Sequence, residues 1–223
     1  MIITIDGPTA SGKSTVAHLL AQKLGYWYIN SGLLFRAVAY VLNKEKLDLR
    51  HRPTLDKLES LLGHKEGIEY IYAQNTGAQI WYKGVQITPY LKTPAIDTLA
   101  SQCAINHTIR NLLLTYQQKI AKGQDIVAEG RDTGTVVFPQ AKVKLYITAA
   151  LNVRAQRWQT DQQRKGHIYT LAESEQLISE RDARDEQRAI APLIMPENAS
   201  IIDTSFSTIE EVVDECMRIL KNR

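Results

Sequence analysis

The chain has 223 residues, of which 27 are Lys or Arg and 24 are Asp or Glu, so its formal net charge is only +3. A balance this even argues against a surface that binds nucleic acid along its whole length, and two cysteines, Cys103 and Cys216, are too few and too far apart for a disulfide framework or a zinc knuckle. At 223 residues the chain is long enough for one α/β core. No apolar run is long enough to span a bilayer, so we expect no membrane partner and a reducing cytoplasm as the compartment. We also expect a monomer without nucleic-acid partners.

The sequence begins with the pattern of a strand, a glycine-containing turn and a helix. Ile2 to Ile5 is apolar, and apolar residues recur at helical spacing from Val16 to Leu24. The turn between them reads G-x-x-x-x-G-K-S, in which glycines let backbone N–H groups converge on phosphate and the helix N-terminus adds partial positive charge. We predict a nucleoside triphosphate site, with Lys13 on the outer phosphates and the Ser14 hydroxyl on Mg²⁺. Its residues are Gly7, Pro8, Thr9, Ala10, Ser11, Gly12, Lys13, Ser14 and Thr15.

The next third of the chain changes from the pattern of an α/β core to that of an antiparallel sheet. Gly25 ends the first helix, a strand over Tyr26 to Ile29 and a helix from Leu33 to about Leu42 follow, and Pro53 opens a short helix. Residues 67–90 hold three short β-like runs separated by tight turns. Three consecutive antiparallel strands do not belong inside a parallel sheet, so we interpret this segment as an inserted flap. A surface hairpin without a role is the alternative.

The middle of the chain returns to helices and buried strands. Asn106 is a suitable N-cap for a helix that Gly123 ends. Ile126-Val127-Ala128 and Val143 to Ala149 have the composition of strands in a parallel sheet. The first of these strands leads directly into the polar turn Glu129-Gly130-Arg131-Asp132-Thr133-Gly134-Thr135.

The last part of the chain is rich in arginine and contains two helix-start signals. Residues 153–166 are polar, and the capping box Thr170 to Glu173 begins a long helix that we expect Pro192 to end. Ile201-Ile202 belongs to the last strand, and a second box from Ser207 to Glu210 opens the final helix. The long helix carries four charged residues at a spacing that places them on one face: Arg181, Arg184, Asp185 and Arg188.

The carboxyl ends of parallel strands indicate where a ligand binds. In an open sheet these ends gather along one edge, and here they carry the phosphate-binding turn and the turn that contains Arg131. Phosphoryl transfer to a phosphate requires cations and the exclusion of water, because the acceptor is already an anion. Arginines without an obvious general base therefore favour a phosphate acceptor. An alcohol acceptor would need a carboxylate base, for which Asp132 is the candidate.

Four stretches, in order along nearly the whole chain, resemble the bacterial cytidylate kinases. They are residues 7–15, Ser31-Gly32 with Arg36, residues 130–139, and residues 181–193. The resemblance implies an α/β P-loop NTPase fold with a parallel five-stranded sheet flanked by helices, a small antiparallel β insert and an arginine-rich lid. It also implies a single domain, with a core of residues 1–66, 91–150 and 168–223, the insert at about 67–90 and the lid at about 151–167.

The resemblance further implies a kinase that transfers the γ-phosphoryl group of ATP, with Mg²⁺, to CMP and also to dCMP. A carboxylate accepts from the exocyclic amine of cytosine and a guanidinium donates to its N3 and O2 edge, whereas uracil reverses both patterns. Matched to the family by position, the cytosine contacts are Ser101, Arg110 and Asp132. The phosphate contacts are Arg36, Arg131 and Arg188, the ribose contacts are Arg181 and Asp185, Ser31 is a further substrate contact, Arg157 contacts the triphosphate, and the catalytic residues are Lys13, Arg131, Arg157 and Arg188.

The chain departs from the family at several positions, and two other functions remain open. Asn30 replaces a more frequent Asp, Trp158 replaces a frequent second lid arginine, and Thr148 replaces a frequent Asp. One alternative is another P-loop kinase, acting on UMP, AMP or a small alcohol such as shikimate. The other is a GTP-dependent switch, but such proteins use an N-K-x-D string that Asn43-Lys44-Glu45-Lys46 does not complete.

Overall fold

The structure is a computed structural model that describes residues 1–47, 52–62 and 66–222. Its strands, in chain order, are β1 (Ile2–Asp6), β2 (Trp27–Asn30), β3 (Ile68–Ala73), β4 (Gly77–Tyr82), β5 (Val85–Gln86), β6 (Ile126–Gly130), β7 (Val143–Thr148) and β8 (Ser200–Asp203). One sheet has five strands in the order β2-β6-β1-β7-β8, and the other has three in the order β3-β4-β5. The predicted five-stranded parallel sheet and the small antiparallel sheet are thus both confirmed.

Helices occupy most of the remaining described residues. They are α1 (Lys13–Leu24), α2 (Ser31–Lys44), α3 (Arg52–Leu61), α4 (Pro94–Ala104), α5 (His107–Ala121), α6 (Leu151–Arg164), α7 (Leu171–Gln187) and α8 (Ile209–Lys221), with a 3₁₀ turn at Thr88–Tyr90 and a π-helical turn at Thr133–Val137. None of the helices within the described residues is both long and apolar enough to cross a membrane.

The chain divides into two compact units, and the first comprises residues 1–24 and 127–223. In this unit β1 and β7 pair in parallel, from Ile3 opposite Val143 to Asp6 opposite Tyr146. Strand β8 extends the sheet in parallel beside β7. Helix α1 packs against α8, and α6 packs against α7. Because the strands are parallel, the turns after β1, β6, β7 and β8 all lie at the same edge of the sheet.

The second unit comprises residues 25–126. The strands β3 and β4 pair antiparallel from Ile68 opposite Tyr82 to Ala73 opposite Gly77. Buried tyrosines tie this sheet to its surroundings within the unit: the Tyr70 hydroxyl donates to the carbonyl of Tyr28, and the Tyr70 N–H donates to the hydroxyl of Tyr116. The apolar groups of such rings are buried while their hydroxyls keep hydrogen-bond partners.

Several helix ends differ from the sequence-based predictions. The second capping box is one residue later than predicted, with Thr208 as the N-cap and Glu211 as its partner. Helix α4 was not predicted, although Thr93 caps it and Pro94 occupies its first position, where the missing N–H costs nothing. Helix α7 ends at Gln187, before Pro192 is reached. The predicted box at Thr170 and the Asn106 cap are confirmed.

Candidate active site

The turn after β1 has the backbone conformation of a phosphate-binding loop. Gly7 has φ 153°, and a Cβ placed there would lie 2.0 Å from the carbonyl oxygen of Ile147, so only glycine fits. Ala10 and Gly12 both have positive φ, at 59° and 88°. Alternating right- and left-handed residues turn successive N–H groups toward one point, which forms an anion-binding concavity. Helix α1 begins at Lys13, at the end of this loop.

Lys13 is buried at the base of the loop. The residue is 6% exposed, and its ammonium donates to the carbonyl of Pro8 over 2.8 Å. Burial, with a further contribution from the Arg131 guanidinium, lowers the pKa of Lys13 to about 7. A desolvated ammonium in this position gains stability when an anion binds beside it.

The hydroxyl of Ser14 lies against a carboxylate that the sequence analysis did not single out. Ser14 Oγ donates to Oε1 of Glu129 over 2.8 Å, and Glu129 is a buried residue of β6. Both are hard oxygen donors of the kind that Mg²⁺ prefers. Glu129 is the first residue of the predicted polar turn and lies near the end of a buried strand, so its position was a signal that could have identified it. Within the described residues, no group of three or more His, Cys, Asp or Glu side chains is placed to hold a metal ion.

Thr9 is held by three side chains that come from other parts of the first unit. Its N–H donates to Oδ1 of Asp182 over 2.8 Å, and its carbonyl accepts from the guanidinium of Arg154 over 3.0 Å. Its hydroxyl accepts from Nη2 of Arg131 over 3.1 Å. Arg154 also forms an ion pair with Asp182. The phosphate-binding loop is therefore tied to α6 and α7 and to the turn after β6.

Arg157, the predicted triphosphate contact, lies at the opposite end of the loop. Its two terminal nitrogens donate to the hydroxyl and the carbonyl of Thr204, over 2.8 and 2.7 Å. The Thr204 hydroxyl in turn lies 3.1 Å from the carbonyl oxygen of Ser11. A Cβ built on Gly12 would be 4.0 Å from the nearer Arg157 nitrogen. These contacts place the guanidinium beside the last residues of the loop.

The turn after β6 is organised by the carboxylate of Asp6. One oxygen accepts from both the N–H and the hydroxyl of Thr133, each at 2.8 Å, and the other accepts from the N–H of Gly134 at 2.7 Å. A Cβ on Gly134 would lie 2.7 Å from Oγ1 of Thr4, so the turn approaches β1 as closely as glycine allows. Burial raises the pKa of Asp6 to about 6, and the three donors oppose that increase.

The predicted substrate contacts in the first unit form a chain of ion pairs. Arg131 Nε donates to Asp185 over 2.9 Å. Arg188 lies 3.5 Å from the carboxylate of Asp132 and 3.8 Å from that of Asp185, and its Nε donates to the carbonyl of Ala191 over 2.6 Å. Burial alone would raise the pKa of Asp185, but Arg131, Arg181 and Arg188 together hold it below the usual value.

The prediction that four charged residues share one face of the long helix is wrong at two positions, Arg184 and Arg188. Arg181 and Asp185 are half-buried on α7, but Arg184 is exposed to solvent. Arg188 lies just beyond the helix, with the extended backbone of a C-cap residue. This change of direction lets Arg188 reach Asp132, which lies on the turn after β6.

The remaining predicted substrate contacts lie in the second unit. Arg36 Nε donates to the Asp97 carboxylate over 2.7 Å, and the Ser101 hydroxyl donates to the Asp97 carbonyl over 3.1 Å. Helix α4 thus supplies the residue that links two predicted contacts. Ser31 is the buried first residue of α2, and Asn30 caps that helix by accepting from the Leu33 N–H.

Arg110 is buried on α5, also in the second unit. Its guanidinium donates to the carbonyl of Ala104 over 2.9 Å and lies 5.4 Å from the centre of the Phe35 ring. A hydrogen bond and an aromatic face together fix the plane of a guanidinium. The structure thus places Ser31, Arg36, Ser101 and Arg110 in one unit, and the phosphate-loop residues with Arg131, Asp132, Arg157, Arg181, Asp185 and Arg188 in the other.

Along nearly its whole length the chain is similar in sequence to cytidylate kinases. The family model described as cytidylate kinase matches residues 3–222. A cytidylate kinase of Thermotoga sp. (strain RQ2) is 38% identical over 99% of this chain and 97% of its own length. One of Fervidobacterium nodosum is 39% identical over 99% and 96%, and cytidylate kinase 1 of Haemophilus influenzae is 37% identical over 99% and 94%.

Two solved structures with a similar fold are much more distant in sequence than these relatives. An uncharacterized protein from Eubacterium ventriosum has a TM-score of 0.55 at 11% identity, covering 100% of this chain and 99% of its own. Shikimate kinase from Acinetobacter baumannii, in complex with shikimate, has a TM-score of 0.51 at 15% identity, covering 100% and 94%. At this level of identity the similarity establishes the fold alone.

Proposed function

Since the chain belongs to the cytidylate kinase family, we propose that it transfers the γ-phosphoryl group of ATP to CMP, giving CDP and ADP. We extend the proposal to dCMP as a second acceptor. The observation that carries the proposal is the contact between Arg131 and Thr9. A guanidinium expected to hold the acceptor phosphate is hydrogen-bonded to the loop expected to hold the donor phosphates. Such a bond joins the two halves of a phosphoryl-transfer site.

The donor half is formed by the loop after β1. Its converging N–H groups and the α1 N-terminus attract the phosphates, and Lys13 is a buried cation beside them. Lys13 stabilises charge on the transferred group without giving up a proton. Arg157 is anchored by Thr204 and covers the Gly12 end of the loop. On this account α6 belongs to a lid that keeps water from the γ-phosphate.

The acceptor half uses cations and no general base. The monophosphate of CMP is already an anion at neutral pH, so its oxygen attacks without prior deprotonation. Arg131 and Arg188 hold that phosphate, and their pairing with Asp185 and Asp132 fixes both guanidinium groups. Bidentate guanidinium geometry suits a terminal phosphate better than an ammonium group does. Ser31, Arg36, Ser101 and Arg110 remain predicted contacts of CMP.

We propose Mg²⁺ as the accompanying ion, with the Ser14 hydroxyl as its protein ligand and Glu129 beside it. The two oxygen donors are 2.8 Å apart, and Mg²⁺ commonly takes few protein ligands when a nucleotide supplies others. When bound, the ion neutralises charge on the triphosphate. We further propose a reducing cytoplasm as the compartment, in keeping with Cys103 and Cys216 as buried thiols. Action as a monomer, without nucleic acid, stays a prediction.

Transfer of labelled phosphate tests the proposal. The purified protein is incubated with γ-labelled ATP, magnesium and CMP, and the nucleotides are separated by chromatography. We expect the label in CDP, with unlabelled ADP formed in equal amount. Label released only as inorganic phosphate would refute the proposed acceptor.

A further inference from the structure

Both backbone polar groups of Thr9 are held by side chains that neither the sequence motifs nor the resemblance assigned to the site. Asp182 on α7 accepts from the Thr9 N–H, and Arg154 on α6 donates to the Thr9 carbonyl. The two side chains also pair with each other, and they are only 9% and 12% exposed. Burying a charge is costly unless it is paired and hydrogen-bonded, and here the two side chains pair with each other and with the Thr9 backbone.

The conformation that follows Thr9 does need support. Ala10 has φ 59°, a left-handed conformation that is unfavourable for a residue with a Cβ. The Thr9 carbonyl belongs to the peptide group that enters Ala10, so a donor that fixes this carbonyl also fixes the direction in which the chain turns. Arg154 is that donor, and Nε of the same guanidinium is anchored to the carbonyl of Ala149 over 3.0 Å.

We propose that Asp182 and Arg154 are positioning residues for the triphosphate, which keep Ala10 in the left-handed conformation that aims the loop N–H groups inward. The inference rests on the proposed function, since it concerns the same ATP site. Neither side chain is assigned a contact with nucleotide. Their effect passes through Thr9, and it includes the hydroxyl that Arg131 contacts. We call the contacts of Asp182 and Arg154 with Thr9 the clamp. Loss of the clamp should therefore weaken ATP binding more than CMP binding.

The test uses Asp182→Asn, which leaves one side-chain acceptor for the two donors Thr9 and Arg154. Calorimetric titration with ATP and magnesium should give about tenfold weaker binding, the low end of the cost of one lost hydrogen bond to a charged group. In an ADP-release assay the KM for ATP should rise by more than the KM for CMP. The matched control is Glu180→Gln, an exposed carboxylate on the same helix that bonds Gln176, and it should leave both values unchanged.

A second substitution separates positioning from simple destabilisation. Glycine adopts the left-handed conformation without a Cβ penalty, so Ala10→Gly should make the loop depend less on the clamp. We expect Asp182→Asn to weaken ATP binding threefold or less when it is introduced together with Ala10→Gly, measured relative to Ala10→Gly alone. Thermal unfolding of each variant reports whether the fold is retained.

Two outcomes would overturn the inference. One is unchanged ATP affinity in Asp182→Asn, whatever happens to its unfolding temperature. The other is an equal loss of affinity with and without Ala10→Gly. Neither result bears on the proposed function, which the wild-type protein tests in the same assay: failure to form ADP with CMP present would refute the kinase assignment and leave the calorimetric comparison valid.

Discussion

Arg131 donates from Nε to the carboxylate of Asp185 over 2.9 Å, and the same guanidinium donates from Nη2 to the hydroxyl of Thr9. The residue expected to hold the acceptor phosphate is thus fixed by the residue expected to contact the ribose and by the phosphate-binding loop. The Arg131 side chain is only 17% exposed. This geometry makes Arg131 the residue on which the donor and acceptor halves both depend.

Replacing Arg131 by Lys should raise the KM for CMP at least tenfold. An ammonium cannot keep the bonds to Asp185 and Thr9 while presenting two parallel donors to a phosphate, and a lost charge-assisted bond costs about 1.5–3 kcal/mol. Steady-state kinetics at saturating ATP measure the effect. Arg218→Lys, an exposed residue of α8 that pairs with Glu215, is the control and should behave as wild type. Unchanged CMP kinetics in Arg131→Lys would contradict the role given to this guanidinium.

Replacing Asp6 by Asn should lower kcat/KM for CMP about tenfold or more. In the wild type three donors bond the Asp6 carboxylate, whereas the Asn amide has one acceptor oxygen and an NH₂ group. At least one donor would therefore face that NH₂ group, at a cost of about 1–3 kcal/mol. The turn that carries Arg131 and Asp132 would shift as a result. Kinetics with CMP as the varied substrate measure this, with Asp214→Asn on α8 as a control for an exposed carboxylate.

The pH dependence of stability provides an independent check on Asp6. The pKa of Asp6 is about 6 in the folded protein and near 3.8 in the unfolded protein. Between these two pH values the folded state therefore keeps a proton that the unfolded state has released. The stability that Asp6 contributes is therefore present in acid and is lost as pH rises through about 6. The difference in unfolding temperature between wild type and Asp6→Asn should be larger at pH 5 than at pH 8. A difference in unfolding temperature that is larger at pH 8 would show that the pKa of the Asp6 carboxyl is not raised.

Binding of ATP above neutral pH should take up protons. The pKa of Lys13 is lowered to about 7 by burial, so at pH 8 its amine is mostly neutral, and the phosphates of ATP favour the charged form. We expect uptake of roughly one proton per ATP at pH 8, and an affinity that falls as pH rises from 7 to 9. Calorimetry in two buffers with different ionisation enthalpies measures the uptake. Identical binding heats in both buffers at pH 8 would rule it out.

Replacing Asp132 by Asn should reduce the preference for CMP over UMP on the order of tenfold to a hundredfold, because the amide can also donate to O4 of uracil. The ratio of kcat/KM for the two nucleotides is the appropriate quantity. Arg188 loses its ion pair with Asp132 in this variant but keeps Asp185 and the Ala191 carbonyl, and the loss affects both substrates alike, so it cancels in the ratio. A ratio equal to that of wild type would exclude Asp132 as the residue that reads the base.

The sequence predicted the fold well where local chemistry determines structure. The phosphate-binding turn, the N-caps at Asn106 and Thr170 and the antiparallel sheet each follow from a short pattern of residues. Helix α4 escaped prediction because its apolar stripe is short, although Thr93-Pro94 is an ordinary helix start. The last capping box is shifted by one residue because Ser207 and Thr208 are both good caps and each has a Glu three residues later, so the local pattern fits both.

The candidate site was predicted less completely, because ligand-facing residues can be recognised from motifs whereas the residues behind them cannot. Asp6 is the last residue of β1 and Glu129 the next-to-last residue of β6, so their positions at the carboxyl ends of two parallel strands were informative. Asp182 and Arg154 meet Thr9 from more than 140 positions away in the chain, and only the folded structure shows that they do. The position of Arg188 beyond α7 likewise depends on the backbone turn there, which helical spacing does not reveal.

The most direct measurement is the rate of ADP release by the purified protein with ATP and magnesium, compared across CMP, dCMP, UMP, AMP and shikimate and with no acceptor. The proposed CMP kinase activity predicts rapid release with CMP, slower release with UMP, and little with AMP, with shikimate or without an acceptor. A rate that is the same with and without CMP, or that is highest with shikimate, would contradict it.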